Sequence, residues 1–461
     1  MIDGAAALAA RIRCGELSAR DAVDACLRAV DAVNGALNAV VQLVPERARA
    51  EAAAADDRYA AGGARGPLHG VPVTIKDCFA TEGIVTTVGT TGLRSFVPDA
   101  DDVTVARLRT AGAIVVGKTN CPELLMGFES DNLVYGRTVN PFDVDHTCGG
   151  SSGGEAAIVA AGASPLGLGS DSGGSLRVPA HFCGVPTLKP THGRVPITSA
   201  VFPSAGPFSR LRAVGTLAPT VADLALGLTV LAGPDGRDPW AAPVALPSLT
   251  DVAGVSGLRV AVYTDDGVTP ASADTAAAVE QAAALLEKAG ASIEPARLPV
   301  AGQAVDLYTG ILGGDGGAGL RRVLGAAGTT EPSPPIANML ELLSANVPPA
   351  SQYADTLARW DRFRLDAMTF LDAFDVVLSP VAAVPALPHG TTFQHIGAFG
   401  YVFTHNLTGW PAAVVRAGTS PEGLPIGVQV ACGPWREDRS LAVAAHLEAA
   451  LGPFPPPTIA A

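Results

Sequence analysis

The chain is poor in charged and aromatic side chains for its length. Of its 461 residues only 16% are charged and 5% are aromatic, whereas 48% are hydrophobic. A chain of this length can bury a large core. Because aromatic residues are scarce, that core must be built mainly from Ala, Val, Leu and Ile.

The chain also lacks an excess of positive charge, since its formal net charge is −13. Proteins that bind nucleic acid without a partner need a basic surface that neutralises phosphates. Adsorption to an anionic membrane likewise needs basic residues. We therefore expect no direct contact with nucleic acid and no association with a membrane.

Long apolar runs and patterned cysteines are missing as well. The longest uncharged apolar stretch, Ala156–Gly169, is too short to span a membrane. Arg11 and Arg13 follow the short apolar stretch Ala5–Ala10 instead of preceding it, so no secretory signal is evident. The seven cysteines form no Cys-x-x-Cys pair and no Cys/His cluster with zinc spacing. We expect buried free thiols, no bound metal and a cytoplasmic location.

Glycine-rich turns that carry serine are the most informative feature that is present. Ser151 and Ser175 both lie among glycines within Gly149–Ala180, and Lys76 ends the apolar run Gly70–Lys76. A serine hydroxyl becomes a good nucleophile only when a base accepts its proton. A desolvated lysine can serve as that base because burial depresses its pKa. These three groups are the parts of a hydrolase that needs no histidine.

The segment Gly149–Ala180 resembles the signature of the amidase signature family, and the chain resembles its free-standing bacterial amidases. Cys148 and Thr187 stand where the family commonly has proline and glycine. Other stretches resemble the same family: Gly66–Asp77, Lys118–Asn120, Asn140–Pro141, Phe182–Gly184, Leu188–Pro190, Phe374–Pro380 and Gly423–Gln429.

The resemblance implies a catalytic role for each of the three groups. Ser175 would be the nucleophile and Lys76 the general base. Ser151, which would follow a cis Gly150–Ser151 peptide, would carry the proton between them. The resemblance implies no metal and no organic cofactor.

Further site residues are expected around this triad. Backbone N–H groups would form an oxyanion hole, from Ser172, Gly173 and Gly174. Supporting side chains would add a hydrogen bond and a structural ion pair, from Ser152, Asp171 and Arg177. An apolar pocket for the acyl group would use aromatic side chains, from Phe128, Phe202 and Tyr308.

Strands alternate with helices along the chain, which predicts an α/β/α sandwich with a large mixed sheet covered by helices on both faces. We expect one domain, 1–461, with N-terminal helices (1–62), a signature core (63–231), a surface connection (232–256), a strand with a mostly helical block (257–370) and C-terminal strands with a helix (371–461). Individual predicted helices are one capped by Ser18, Thr104–Thr110, Asp274–Ala289 and Arg439–Leu451. Individual predicted strands are Val71–Ile75, Ala113–Val116, Leu258–Tyr263, Ala412–Arg416 and Ile426–Ala431.

Two other motifs match the sequence and rank lower. Gly112–Thr119 fits a phosphate-binding Gly-x4-Gly-Lys-Thr loop, but its apolar run lies inside the loop, where a true phosphate loop has its strand before the first glycine. Gly149–Gly153 fits a Gly-x-Ser-x-Gly nucleophile elbow, which would need a downstream acid and histidine such as Asp375 and His405.

Three functions remain open at this point. The first is an amide hydrolase that converts a small carboxamide to a carboxylate plus ammonia or an amine through an acyl-enzyme on Ser175. The second is the glutaminase subunit of a tRNA-dependent amidotransferase. The segment Phe128–Asn132 partly resembles the matching segment of such subunits. The third is a catalytically silent binding protein on the same fold, against which the intact Lys76, Ser151 and Ser175 argue. The sequence leaves open whether the chain forms a homodimer.

Overall fold

The computed structural model describes residues 2–63, 66–199, 201, 206–249 and 254–460. The strands in these ranges are β1 (Val40–Leu43), β2 (Pro72–Lys76), β3 (Ile114–Thr119), β4 (Gly167–Asp171), β5 (Thr187–Lys189), β6 (Ala213–Leu217), β7 (Arg259–Val262), β8 (Ser292–Pro295), β9 (Val376–Pro380), β10 (Ala412–Thr419) and β11 (Pro425–Cys432). The helices are α1 (Ala5–Arg13), α2 (Ala19–Leu37), α3 (Pro45–Ala60), α4 (Val103–Thr110), α5 (Gly153–Ala160), α6 (Arg177–Cys183), α7 (Gly206–Ser209), α8 (Val221–Leu231), α9 (Ala273–Lys288), α10 (Ala304–Gly313), α11 (Ala318–Ala327), α12 (Pro334–Ala345), α13 (Ala350–Phe370), α14 (Gly400–Thr408) and α15 (Glu437–Leu451).

The eleven strands form one sheet in the order β1-β3-β2-β4-β6-β5-β10-β11-β9-β7-β8. The sheet is mixed, since β2 pairs in parallel with β3 and β4 whereas β10 and β11 pair antiparallel. Alternate residues of one strand enter different cores: Val376 and Leu378 join one apolar cluster and Val377 joins the other. Both faces are therefore covered by helices, and the predicted α/β/α sandwich is confirmed.

Strands from both sides of the predicted surface connection join this sheet, with β6 before it and β7 after it. The described residues of 232–256 contain no helix or strand. This stretch is nevertheless attached to the body of the protein, because Ala242 N–H donates to Gly193 O at 3.0 Å and Arg194 Nη1 donates to Val244 O at 2.7 Å.

The individually predicted helices and strands are confirmed within a few residues, and some extend further than expected. Ser18 caps α2, because its Oγ accepts a hydrogen bond from Asp21 N–H at 3.0 Å. Strand β3 continues to Thr119, so Lys118 lies inside a buried strand and not in a loop that holds phosphate. The phosphate-loop interpretation of Gly112–Thr119 is therefore excluded.

Several elements are absent from the sequence predictions. Strand β4 is composed of Gly, Leu, Ser and Asp, a set with little intrinsic preference for a strand, but it is completed by pairing with β2 on one side and β6 on the other. Helix α14 is also missed. All nine of its residues are buried, so it lacks the alternation of buried and exposed positions by which a surface helix is recognised.

The described ranges also contain no disulfide and no cluster of three or more His, Cys, Asp or Glu side chains that could hold a metal ion. Of the seven free cysteines, Cys14 is exposed and the others are buried. Among the helices in those ranges, none combines the length and the apolarity that crossing a bilayer requires.

Candidate active site

The parallel pairing of β2 with β4 brings their carboxyl ends to the same edge of the sheet. Lys76 is the last residue of β2, and Ser170 stands near the end of β4. Side chains alternate along β2: Val73 and Ile75 pack into one apolar cluster, whereas Thr74 and Lys76 point to the opposite face. The pairing thus places one lysine and one serine together at the strand ends.

The Lys76 side chain is fully buried, and its nitrogen is surrounded by hydroxyl groups. Its Nζ lies 2.7 Å from Ser151 Oγ, 3.0 Å from Ser152 Oγ and 3.2 Å from Ser170 Oγ. Among the described residues, no carboxylate forms an ion pair with it. Burial lowers the pKa of Lys76 below its ordinary value, and nearby groups such as Cys78 act in the opposite direction. The site therefore favours the neutral amine, which is the form that can accept a proton.

The loop that carries Ser151 and Ser152 lies directly before helix α5. The Gly150–Ser151 peptide is cis, as the sequence resemblance implies. Ser152 joins this loop to its surroundings, since its N–H donates to Ser175 O at 3.0 Å and its Oγ donates to Ser170 O at 3.2 Å. The predicted supporting residue therefore contacts both the lysine and the main chain of the predicted nucleophile.

Ser175 stands in the turn between β4 and α6 and is half-buried. The structure brings its main chain against the Ser151–Ser152 loop through the hydrogen bond from Ser152. Its hydroxyl group makes no hydrogen bond to any other described residue, so the contact between Ser175 Oγ and Ser151 Oγ is not formed here. Lys76 and Ser151 are in direct contact, and Ser175 Oγ is left available.

The predicted oxyanion hole is only partly available. Gly174 N–H already donates to Asp171 Oδ1 at 2.7 Å, so the expectation that this N–H would bind an oxyanion needs correction. The N–H groups of Ser172 and Gly173 donate to no group in the described parts of the chain, and the same holds for Ser175 N–H. The turn thus offers three unused donors, of which Ser175 N–H was not predicted.

Asp171 and Arg177 form the expected ion pair beneath this turn. Arg177 Nε donates to Asp171 Oδ2 at 3.0 Å and its Nη2 donates to Asp171 Oδ1 at 3.1 Å, with both side chains fully buried. Burial alone would raise the pKa of Asp171, but the charge and hydrogen bonds of Arg177 outweigh it and lower this pKa. Asn406 and Gln429 complete the group by contacting Arg177 at 2.5 and 3.1 Å.

A buried carboxyl group next to Lys76 was missed by the sequence analysis. Glu155 on α5 accepts hydrogen bonds from Thr74 at 2.5 Å and from Thr119 at 2.8 Å. Burial raises its pKa from 4.5 to about 8, against the opposing effect of those hydrogen bonds and of Lys76. A signal was present, because Glu155 is the one charged residue in an otherwise small and apolar stretch.

Aromatic side chains form a wall beside the nucleophile turn. Phe128 stacks on Phe399 with ring centroids 4.0 Å apart, and Tyr308 stacks on Phe403 at 4.1 Å. Phe128 and Phe403 are 6.1 Å apart, which joins the two pairs. The Tyr308 hydroxyl packs so closely on Gly173 that a Cβ there would overlap it. Phe202, the third predicted pocket residue, lies outside the described residues.

The nucleophile-elbow alternative does not assemble. Asp375 forms ion pairs with Arg259 and Arg439, at 3.1 and 3.0 Å. Neither ring nitrogen of His405 has a hydrogen-bond partner among the described residues. Burial lowers the pKa of His405, so the ring is uncharged at neutral pH. Asp375 and His405 therefore do not form the acid–histidine pair that the elbow interpretation would need.

Comparison with known families gives a match over most of the chain. The family model described as Amidase matches residues 21–441, a range that includes Lys76, Ser151 and Ser175. The chain belongs to the amidase family. Its members include hydrolases of amide bonds, and the likeness of this amidase to them extends over nearly the whole chain.

Two curated relatives and one solved structure illustrate that extent. A glutamyl-tRNA(Gln) amidotransferase subunit of Synechococcus sp. (strain CC9605) is 35% identical, over 96% of this amidase and 95% of the relative. An indoleacetamide hydrolase of Bradyrhizobium diazoefficiens is 36% identical, over 95% of this amidase and 85% of the relative. The structure of a 6-aminohexanoate cyclic dimer hydrolase complexed with substrate superposes with a TM-score of 0.90 and 28% identity, over 100% of this amidase and 99% of that chain.

Proposed function

We propose that this amidase hydrolyses a small carboxamide with an aromatic or otherwise apolar acyl group, using Ser175 as nucleophile, Ser151 as proton carrier and Lys76 as base. The observation that carries the proposal is the buried, unpaired Lys76 amine 2.7 Å from Ser151 Oγ, at the strand edge where the Ser175 turn begins. Burial lowers the pKa of Lys76, and no carboxylate among the described residues pairs with it, so a larger fraction of the lysine is neutral than in water.

The chemistry then follows in two half-reactions. Rotation of the Ser175 hydroxyl towards Ser151 completes the relay, and Lys76 takes up the proton as Ser175 Oγ attacks the amide carbon. The resulting oxyanion accepts hydrogen bonds from the N–H groups of Ser172, Gly173 and Ser175. Lys76 returns the proton through Ser151 to the leaving nitrogen, which departs as ammonia or an amine. Water, activated by the same relay, releases the carboxylate and restores Ser175.

The aromatic wall supports the assignment of the acyl group. Phe128, Phe399, Phe403 and Tyr308 form a continuous row of rings that reaches Gly173 in the oxyanion turn. Phe399 and Phe403 are buried, so a flat acyl group would contact this row at its accessible edges, on Tyr308 and Phe128. One relative is named an indoleacetamide hydrolase, and indoleacetamide is an amide with an aromatic acyl group.

A panel of amides tests the substrate class. Ammonia release would be measured from phenylacetamide, indoleacetamide, propionamide and glutamine with the wild type, Phe128→Ala and the exposed control Phe96→Ala. We expect Phe128→Ala to lower the ratio of kcat/KM for phenylacetamide over propionamide about threefold to tenfold, because a ring contact is lost. An unchanged ratio in Phe128→Ala would reject the aromatic wall as the acyl site without affecting the assignment of the triad.

Glutamine hydrolysis for a partner is the second candidate, and the names of the amidotransferase subunits among the curated relatives favour it. Glutamine carries an ammonium and a carboxylate group that need charged or polar partners when they leave water. The aromatic row supplies neither, so we rank this function second. Glutamine as the sole substrate in the panel would reverse the order.

A further inference from the structure

A second cavity lies apart from the Lys76 relay. It has a volume of about 130 Å³ and lies between the 232–256 connection, helix α13 and the end of α14. This volume is well above the roughly 30 Å³ that one water molecule occupies in the liquid. None of the three triad residues lines it. Its lining combines cationic, aromatic and polar side chains, namely His192, Arg210, Trp240, Trp360, Arg364 and Asn406.

Arg210 is held in place by ring stacking and not by an acid. Its guanidinium lies 5.0 Å from the ring centroid of Trp240 and 4.9 Å from that of Trp360. Both distances lie within the range of cation–π contacts, which attract the guanidinium to the rings without removing its positive charge. Within the described residues the Arg210 side chain forms no ion pair and donates no hydrogen bond.

Arg364 brings a second positive charge to the same cavity. Its side chain likewise has no ion pair and no hydrogen bond in the described parts of the chain. Although Arg364 as a whole is exposed, partial burial of its side chain lowers its pKa, the charge of Arg210 adds to the effect, and Asp361 opposes it. Two arginines that face one cavity without a contacting carboxylate are unexpected in a protein with a net charge of −13. They create a local preference for an anion.

Two polar groups near the cavity, His192 and Asp238, form no ion pair with either arginine in the described ranges. His192 Nδ1 lies 3.0 Å from Arg212 O, so Nδ1 carries the hydrogen, and the buried Nε2 has no partner among the described residues. With its hydrogen on Nδ1, this ring can only accept a hydrogen bond at Nε2, so it does not pair with an anion. Asp238, a nearby carboxylate, is used by the backbone, since it accepts from Ile197 N–H and Trp240 N–H at 2.9 Å each.

We propose that this cavity binds a small organic carboxylate through the guanidinium groups of Arg210 and Arg364. Arginine suits this task because its planar fork of donors matches the two oxygens of a carboxylate. The cavity also adjoins the catalytic turn: Asn406 donates to Asp171 Oδ1 at 2.8 Å, and the same oxygen accepts from Gly174 N–H. The proposal does not depend on the substrate proposed above.

Carboxylates of two origins fit this chemistry, the acid that amide hydrolysis releases and acids unrelated to the reaction. Sodium phenylacetate and sodium succinate represent them in the test, with sodium phosphate as an inorganic anion and sodium chloride as the control for ionic strength. All titrations would use Ser175→Ala, so that turnover plays no part. Because Trp240 and Trp360 are two of only four tryptophans, fluorescence reports on the cavity, and a thermal shift provides a second readout.

We expect saturable fluorescence change and a rise in Tm with a carboxylate, beyond the effect of chloride. Arg210→Gln and Arg364→Gln should each weaken binding about tenfold or more, because a charge-assisted hydrogen bond is lost. The matched control Arg362→Gln, which is exposed on the same helix α13 but does not line the cavity, should bind as strongly as the parent. Tighter binding of phenylacetate would assign the product acid as the occupant, and tighter binding of succinate an unrelated acid.

Three results would overturn the proposal. The first is no saturable response beyond that of chloride, and the second is binding of phosphate but of neither carboxylate. The third is an unchanged affinity for carboxylate in Arg364→Gln. Arg364 is exposed, so its replacement should leave the core intact. This variant therefore tests the proposal even if Arg210→Gln disturbs the packing of the two tryptophans. These outcomes concern binding alone, so they can be interpreted even if the wild type shows no amidase activity.

Discussion

At the scale of single residues, two buried lysines on adjacent strands show why Lys76 suits a base and Lys118 does not. Lys118 Nζ donates to the Phe79 carbonyl at 2.5 Å and lies 3.8 Å from Asp77 Oδ1. Burial lowers the pKa of Lys118 as it does that of Lys76, but the carbonyl, which can only accept a hydrogen bond, and the nearby carboxylate both act against this effect. Lys76 contacts only hydroxyl groups, which can donate to a neutral amine as well as accept from an ammonium.

The first prediction concerns the protonation of Lys76. Because the base must be neutral, kcat/KM should rise with pH through the lowered pKa of Lys76 and then level off, and activity should be lost as pH falls below it. Lys76→Ala should lower kcat/KM about 10²- to 10⁴-fold. Lys76→Arg should be no better, since a guanidinium does not release its proton.

The exposed Lys288→Ala serves as the control and should keep both the rate and the pH profile of the wild type. Initial rates between pH 5 and pH 9 on the best amide of the panel provide the measurement. A profile that is flat over this range, together with a Lys76→Ala variant of near wild-type activity, would remove Lys76 from the relay.

At the scale of elements, the Asp171–Arg177 ion pair holds the turn between β4 and α6, since Asp171 accepts hydrogen bonds from Gly174 N–H and Leu176 N–H. The pair also binds Asn406 of α14 and Gln429 of β11, so the nucleophile turn is anchored to elements more than two hundred residues away in the chain. Removing one member of a buried ion pair leaves the other charge without a partner, which is far more costly than losing a surface pair.

The second prediction follows from this contrast. Asp171→Asn should lower the free energy of unfolding by about 3–5 kcal/mol, because Arg177 would remain buried and unpaired. The control is Asp306→Asn, which removes the exposed pair with Arg359 and should change stability little. Urea unfolding of both variants is the measurement, and equal stability of the two would show that the buried pair does not hold the turn.

The third prediction concerns the buried acid of helix α5. Burial raises the pKa of Glu155 from 4.5 to about 8, so the folded protein binds this proton more tightly than the unfolded chain does. The resulting stability is present below about pH 4.5 and is lost as pH rises towards 8. Glu155→Gln keeps the shape without the titration, so the Tm of the wild type should fall relative to that of the variant between pH 5 and pH 8.

Thermal unfolding at several pH values in that range measures the difference between the two proteins. Parallel Tm curves for the wild type and Glu155→Gln would mean that Glu155 is already ionised in the folded protein at pH 5. In that case Lys76 would have a negative neighbour, and the argument for its neutral form would weaken.

The sequence predicts this site unevenly, for identifiable reasons. Lys76 and the serines are marked by local patterns, namely an apolar strand that ends in a cation and serines among glycines. Because side chains alternate along β2, the sequence would also have predicted that Thr74 lies on the same face of the sheet as Lys76. Asn406 could not be found, because its role depends on a contact between distant elements. The bond from Gly174 to Asp171 depends on the exact shape of the turn, which composition does not determine.

At the scale of the whole molecule, one eleven-stranded sheet gathers the site from widely separated parts of the chain. Lys76, Ser151 and Ser175 lie in the first half of the chain. Asn406 and Gln429, which contact Arg177, and the rings of Phe399 and Phe403 come from its last quarter. The chain therefore contains every group that the proposed reaction uses. A partner is not required to complete the triad, the oxyanion donors or the aromatic wall.

The fourth prediction follows from that completeness. The purified chain alone should hydrolyse an apolar carboxamide, with a kcat/KM that does not depend on any co-purifying protein. Size-exclusion chromatography combined with an activity assay across the fractions provides the measurement. Activity that appears only when a second polypeptide is present, and only with glutamine, would instead identify an amidotransferase component.

The measurement that tests the central claim most directly is labelling with a serine-reactive fluorophosphonate, followed by peptide mapping. The account predicts one adduct per chain, on the peptide that contains Ser175. It further predicts no adduct in Ser175→Ala and labelling at least about 100-fold slower in Lys76→Ala, because the base is missing. An adduct on Ser151, or labelling that persists in Ser175→Ala, would contradict the assignment of Ser175 as the nucleophile.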